Sequence, residues 1–196
     1  MKKEEYLMQI PNTPYQILLS DVRKIIEAGR KEAYIAINQA AVFTYWNIGK
    51  KIVEEEQNGQ SRAEYGKQII KVLAAELSIE YGSTFNKRNL DYYRQFYLSF
   101  NDFEIVNTRV HNLSWSHFRR LLSVANPEAR MWYLKEASEQ MWSVRTLDRN
   151  IGTQYYERLL SNQRNNAKLP LPESEKYDPR EYIKNPIVAE FLGFRK

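Results

Sequence analysis

Almost everything before Leu169 carries apolar side chains at steps of three and four, interrupted by helix-capping signals rather than by the every-second-residue alternation of a strand. Thr13, Pro14 and Gln16 make the first start signal: a threonine N-cap, a proline where its missing N–H costs nothing, and a glutamine able to reach back to the cap. They predict a helix from Pro14 to about Ala28, which Gly29 either ends or bends. From Arg30 to Gln57, Tyr34, Ile37, Ala41, Tyr45, Ile48 and Ile52 keep the helical step, and Ile35, Val42, Trp46 and Val53 widen the stripe. Such a helix would run for about 42 Å. An apolar surface of that length holds either the rest of the fold or a second copy of the chain.

Asn58-Gly59 closes this helix, and Ser61 with Glu64 forms a capping box for the next, whose buried face is read as Tyr65, Ile69, Val72, Leu73 and Leu77. Gly82 is the expected stop. Asn86 caps the following helix, Lys87 to Phe100, with Phe85 and Leu90 placed as a hydrophobic staple. Lys87, Arg88, Asp91 and Gln95 point roughly one way along it, and Leu90, Tyr93 and Tyr97 the other. Residues 103–110, FEIVNTRV, admit a short strand or wing, although a loop of extended character suits them better. Helices are expected again at Trp115–Val124, at Pro127–Ser138 capped by Asn126, and from Val144 to about Ser161 capped by Ser143 and kinked at Gly152. The fold class is therefore all-α. Two helix-turn-helix units stand in series between Leu77 and Ile151, behind one long N-terminal helix.

Domain limits follow from composition. Residues 1–13 read as a tail and 14–161 as the helical domain. Residues 162–186, polar and carrying Pro170, Pro172, Pro179 and Pro186, read as a semi-rigid linker. Residues 187–196, with the apolar run IVAEFLGF, are expected to begin a further domain that the chain does not complete.

A chain of 196 residues can bury roughly 70% of its unfolded surface, so it needs no staples. It has no cysteine, which excludes a disulfide scaffold, a thiolate zinc site and a cysteine nucleophile. No window approaches about 18 uninterrupted apolar residues, and the N-terminus lacks a signal-peptide core. These features predict a soluble, cytoplasmic protein with no membrane contact. The net charge of +5 is uneven: residues 1–81 carry 11 basic and 11 acidic side chains, residues 82–130 seven and four, and residues 140–168 five and two. The positive excess sits in the helix-turn-helix half, where a nucleic-acid backbone would be met.

Lys87, Arg88 and Asn89 open a helix with the wrong sign for its dipole, which points to entry into a DNA groove. Arg94 is expected at phosphate or in an ion pair. Arg119, Arg120, Arg145 and Arg149 are candidates for phosphate contacts, against pairing with Glu128, Glu136 or Asp148. His117, beside Ser116, is read as a contact on the helix surface and grouped with them. The aromatic residues fall on buried stripes and belong to the core, with Tyr92 the exception. The acidic run Glu54-Glu55-Glu56 opposes its helix dipole unless a basic neighbour answers it. No metal or other cofactor is implied. His111 and His117 lie six apart, the wrong spacing for two ligands on one helix face, and no glycine-rich phosphate loop occurs.

The blocks AAVFTYWNIGKKIVEEEQNGQSRAEYGKQII, GSTFNKRNLDYYRQFY, LSWSHFRRLLSV and WSVRTLDRNIGTQYYERLL, taken in order over roughly residues 15–165, resemble the N-terminal domain of YhcG-like proteins, a bacterial family. In longer members that domain resembles a DNA-binding module set before a PD-(D/E)XK-type nuclease, entered through a segment similar to YIKNPIVAEFLGF. A nuclease of that type needs an acidic residue two positions before a lysine on one strand. None of the 14 lysines has one, so the nuclease site is expected to be absent from this chain and the chain itself not to be an enzyme. A slighter likeness joins Leu113, Ser114, Ser116, His117, Arg119, Leu121 and Leu122, and then Ser143, Val144 and Arg145, to patterns of ParB-type partition proteins. The expected function is binding of DNA, as duplex, on behalf of a nuclease. The alternative is an oligomerisation or protein-interaction module, with helix 30–57 as the interface.

Overall fold

The structure, a computed structural model, describes the backbone of residues 12–58 and 62–164. Eight α-helices follow one another among the described residues, with no strand. Helix α1 runs unbroken from Asn12 to Asn58, 47 residues or about 70 Å. Gly29 does not end it. One interior glycine costs only about 1 kcal/mol against alanine, and the Asp21–Lys24 and Glu27–Arg30 pairs stand close by on its N-terminal side and across it. Thr13 lies inside the helix rather than at its cap. The Ser61 cap, residues 165–186 of the expected linker and the segment from residue 187 lie outside the described residues, while residues 162–164, read as the start of the linker, continue the last helix.

The second part of α1 is the spine of the fold. Ala41, Val42, Tyr45, Trp46, Ile52 and Val53 are buried against the chain's own later helices, so of the two expected roles of this stripe it takes the first, holding the rest of the fold. Its main partner is α3 (Lys87–Ser99), with α2 (Arg62–Tyr81) and α5 (Trp115–Leu121) packing beside it. Gly49 allows the close approach: a Cβ there would stand 2.0 Å from the Tyr93 carbonyl oxygen. Tyr45 and Tyr93 stack at 4.3 Å, and Trp115 sets its edge against Tyr45 at 5.1 Å. Two polar side chains of α1 fix the neighbouring loops. Asn38 Nδ2 donates to the carbonyls of Val110 and Leu113 at 3.2 and 2.9 Å, and Trp46 Nε1 donates to that of Phe100 at 2.7 Å.

Local capping places the rest. Gly82, at φ 96°, turns the chain out of α2, as a left-handed residue without a Cβ can. A single 3-10 turn over Ser83–Phe85 leads to Asn86, whose side chain accepts from Asn89 N–H to start α3. Leu73 and Leu77 pack half-buried against the core as expected, but Val72 is exposed and Ile70 and Ala74 take the fully buried positions of α2, a small rotation of the expected face. Residues 103–110 form no strand or wing: α4 spans Phe103–Arg109, because the Asp102 side chain caps Glu104 N–H and Val106 and Val110 share one buried face. Helix α6 (Pro127–Glu139) starts on Asn126, and α7 (Val144–Gly152) on Ser143, as expected. Gly152 ends α7 rather than kinking it; Gln154 turns at φ 51° before α8 (Tyr155–Arg164).

Candidate nucleic-acid interface

Helices α3, α5 and the start of α7 enclose a surface groove of about 640 Å³. Arg88, Tyr92 and Gln95 line it from α3, Ser116, Arg119 and Arg120 from α5, and Val144 from the first turn of α7. The helical step explains the α3 wall, since residues four apart lie one above the other. Leu90, Tyr93 and Phe96, on the opposite face, are fully buried and hold that wall rigid.

Two arginines from different helices meet on one aromatic ring. The Arg119 guanidinium lies 4.7 Å from the centre of the Tyr92 ring and that of Arg88 lies 5.8 Å from it. Arg88 Nη2 donates to the Tyr92 hydroxyl at 3.5 Å. Hydrogen bonding from Arg88, then from Arg119, lowers the phenol's pKa from its ordinary value. Among the described residues neither guanidinium has a carboxylate within ion-pair distance. Two cations gathered without a counter-charge favour an anion between them. Arg120, on the same wall, pairs with Asp148 of α7 at 3.3 Å, both side chains about half exposed, so the pair is weak and open to exchange.

The other expected contacts divide. Lys87 stands exposed at the mouth of α3 and pairs with Asp91 at 2.8 Å. Asn89 gives its amide to the Thr84 carbonyl at 3.0 Å and belongs to the turn before α3. Arg94 stands in an ion pair, one of its two expected roles: its Nε reaches both carboxylate oxygens of Glu56, at 2.8 and 2.7 Å, and ties α3 to the end of α1. Glu56 thus finds the basic neighbour that an acidic helix end requires. Arg145 and Arg149 are exposed on α7, one turn apart, outside the lining of the groove.

His117 is not a surface contact. It is fully buried, with Nδ1 accepting from Ser114 N–H at 3.0 Å and Nε2 2.9 Å from the Trp142 carbonyl. An accepting Nδ1 fixes the proton on Nε2, which donates to Trp142. Burial depresses its pKa to about 4, against the opposing bond to Trp142, so the ring is neutral near pH 7. It completes a capping box with Ser114, the histidine standing where a glutamate usually serves. The Ser-x-x-His spacing was the signal for this role. Gln95 joins the groove from the face it is expected to share with Arg88, and Ser116 from beside His117, whereas Ser123 joins without any sequence signal.

Among the described residues no group of three or more potential metal ligands occurs, and no helix is long and apolar enough to cross a membrane. The model of the DUF1016 N-terminal domain matches residues 21–158. The chain is also 34% identical, over an alignment of 222 positions, to the protein named "Putative nuclease YhcG" of Escherichia coli (strain K12). The match takes in 97% of this chain and 59% of that relative's length. Neither match is to a partition protein, and the ParB likeness gains no support from them. No solved structure matches the chain.

Proposed function

Because this chain belongs to the DUF1016 N-terminal domain family, with a YhcG-like relative, we propose that it is a DNA-binding module that holds duplex DNA for a nuclease active site lying outside these 196 residues. The observation that carries the reading is the meeting of Arg88 and Arg119 on Tyr92. Residues 31 apart in sequence bring two uncompensated guanidiniums to one groove, where a phosphodiester oxygen can take the place the tyrosine hydroxyl now fills. Arg120, paired with Asp148, adds a third guanidinium to the groove, and Lys87, Arg145 and Arg149 are exposed outside its lining. Phosphate contacts of this kind position a backbone and carry no sequence information themselves.

Placing catalysis elsewhere follows from the lysines, none of which has an acidic residue two positions before it. The test is fluorescence anisotropy of a labelled duplex titrated with the protein and with the Arg88→Ala/Arg119→Ala variant. Binding by the first, and much weaker binding by a folded double variant, is the expected result. A double variant that binds as tightly as the parent would remove the groove from the account.

A further inference from the structure

We propose that two copies of this chain pair antiparallel along α1, with Gly29 on the two-fold axis between them. Seven positions of α1 form one seam: Leu18, Val22, Ile25, Gly29, Ala33, Ala36 and Ala40. All seven are exposed, Leu18 at 61% and Ile25 at 71%. The seam lies opposite the face that Ile35, Asn38, Ala41 and Val42 bury in the body, and none of the described residues covers it.

The spacing is a palindrome. Its steps are four, three, four, then four, three, four, centred on Gly29. Eleven residues per three turns is close to the period of a straight helix, so two such seams run side by side without much supercoiling. Reversed against itself, the seam sets Leu18 against Ala40, Val22 against Ala36 and Ile25 against Ala33, with Gly29 facing Gly29. Every large side chain then meets a small one, the arrangement that fills space without strain. A parallel pairing sets large on large at one end and leaves gaps at the other.

Gly29 supports the same register. A Cβ there would meet nothing within 4 Å of its own chain, so no contact inside one copy calls for glycine at a position where it weakens the helix. A second backbone crossing at that point does call for it. The seam carries no charge, and the flanking Arg23, Lys24, Arg30 and Lys31 nearly balance Asp21, Glu27 and Glu32, so two copies meet without strong repulsion. A contact strip about 10 Å wide and about 33 Å long on each copy gives a buried area of roughly 700 Å² in total. That is below the ~1,200 Å² of a standard stable interface, so the dimer forms in the micromolar range rather than the nanomolar.

Sedimentation velocity of the chain from about 1 to about 100 μM should show monomer passing to dimer, and Ile25→Lys should abolish the shift with helix content unchanged. The sequence has no cysteine of its own, so single cysteines report the register. Under mild oxidation Gly29→Cys should cross-link to itself, because the two-fold brings its mates within disulfide reach. Leu18→Cys should not, its mates lying roughly 33 Å apart. A monomer at every concentration overturns the proposal, and so does Leu18→Cys cross-linking as readily as Gly29→Cys.

Discussion

Replacing Gly49 by alanine puts a methyl group where α1 crosses α3. The added carbon would stand 2.0 Å from the Tyr93 carbonyl oxygen, 2.6 Å from its carbon and 3.1 Å from Tyr97 Cβ. Two of those three atoms are backbone of a helix, so no side-chain rotation relieves the clash and α3 must move by more than an ångström. Movement on that scale opens the Tyr45–Tyr93 stack and the cluster around Trp115. Overpacking of a core typically costs about 1–3 kcal/mol, and the better helix propensity of alanine returns at most about 1 kcal/mol. We expect a net loss of about 2 kcal/mol, a large share of the ~5–15 kcal/mol that holds a domain of this kind. Urea unfolding followed by tryptophan fluorescence measures it, with Gly29→Ala at low protein concentration as the control. That second alanine meets open space and should raise stability by up to about 1 kcal/mol. Equal stability of Gly49→Ala and the parent would refute the close crossing. Because α3 carries Arg88 and Tyr92, the folded fraction of Gly49→Ala should also bind DNA more weakly.

His117 makes stability depend on pH. Its folded pKa of about 4 lies below the ordinary 6.5, so the unfolded chain binds the extra proton first as pH falls. The contribution is complete above pH 6.5 and is lost between about 6.5 and 4, some 2 kcal/mol of it by about pH 5. Denaturant midpoints of the parent should fall over that window more steeply than those of His117→Gln; parallel curves would argue against a buried neutral ring. Arg94→Ala should destabilise the fold by about 1–2 kcal/mol through the uncompensated Glu56, yet leave the salt dependence of DNA binding unchanged. A reduced salt slope in that variant would return Arg94 to the interface.

What the sequence makes legible is what neighbours in the chain decide. Asn86, Asn126 and Ser143 cap helices because a short polar side chain reaches an amide two or three residues on, and that geometry needs no tertiary contact. Gly82 stops α2 for an equally local reason. FEIVNTRV misleads because its β-branched residues resemble strand over so short a run. The deciding facts are the Asp102 cap and a core that takes Val106 and Val110 from one helical face. Arg88 and Arg94 look alike in sequence, six residues apart on one helix. Only the return of α1, bringing Glu56 to Arg94 and none of its carboxylates to Arg88, separates an interior tie from a free cation. The burial of His117 depends on where the rest of the chain lies, although its capping-box spacing from Ser114 is local.

The central claim is that a few guanidiniums in the α3–α5 groove meet DNA phosphates, and the measurement that tests it most directly is the salt dependence of duplex affinity. With Arg88, Arg119 and Arg120 each displacing about one counterion, the plot of log K against log salt should have a slope of about −2.7, an affinity loss of roughly 40-fold between about 50 and 200 mM. The Arg88→Ala/Arg119→Ala variant should retain a slope of only about −0.9. Affinity independent of salt, or a double variant with the parent's slope, would contradict the account.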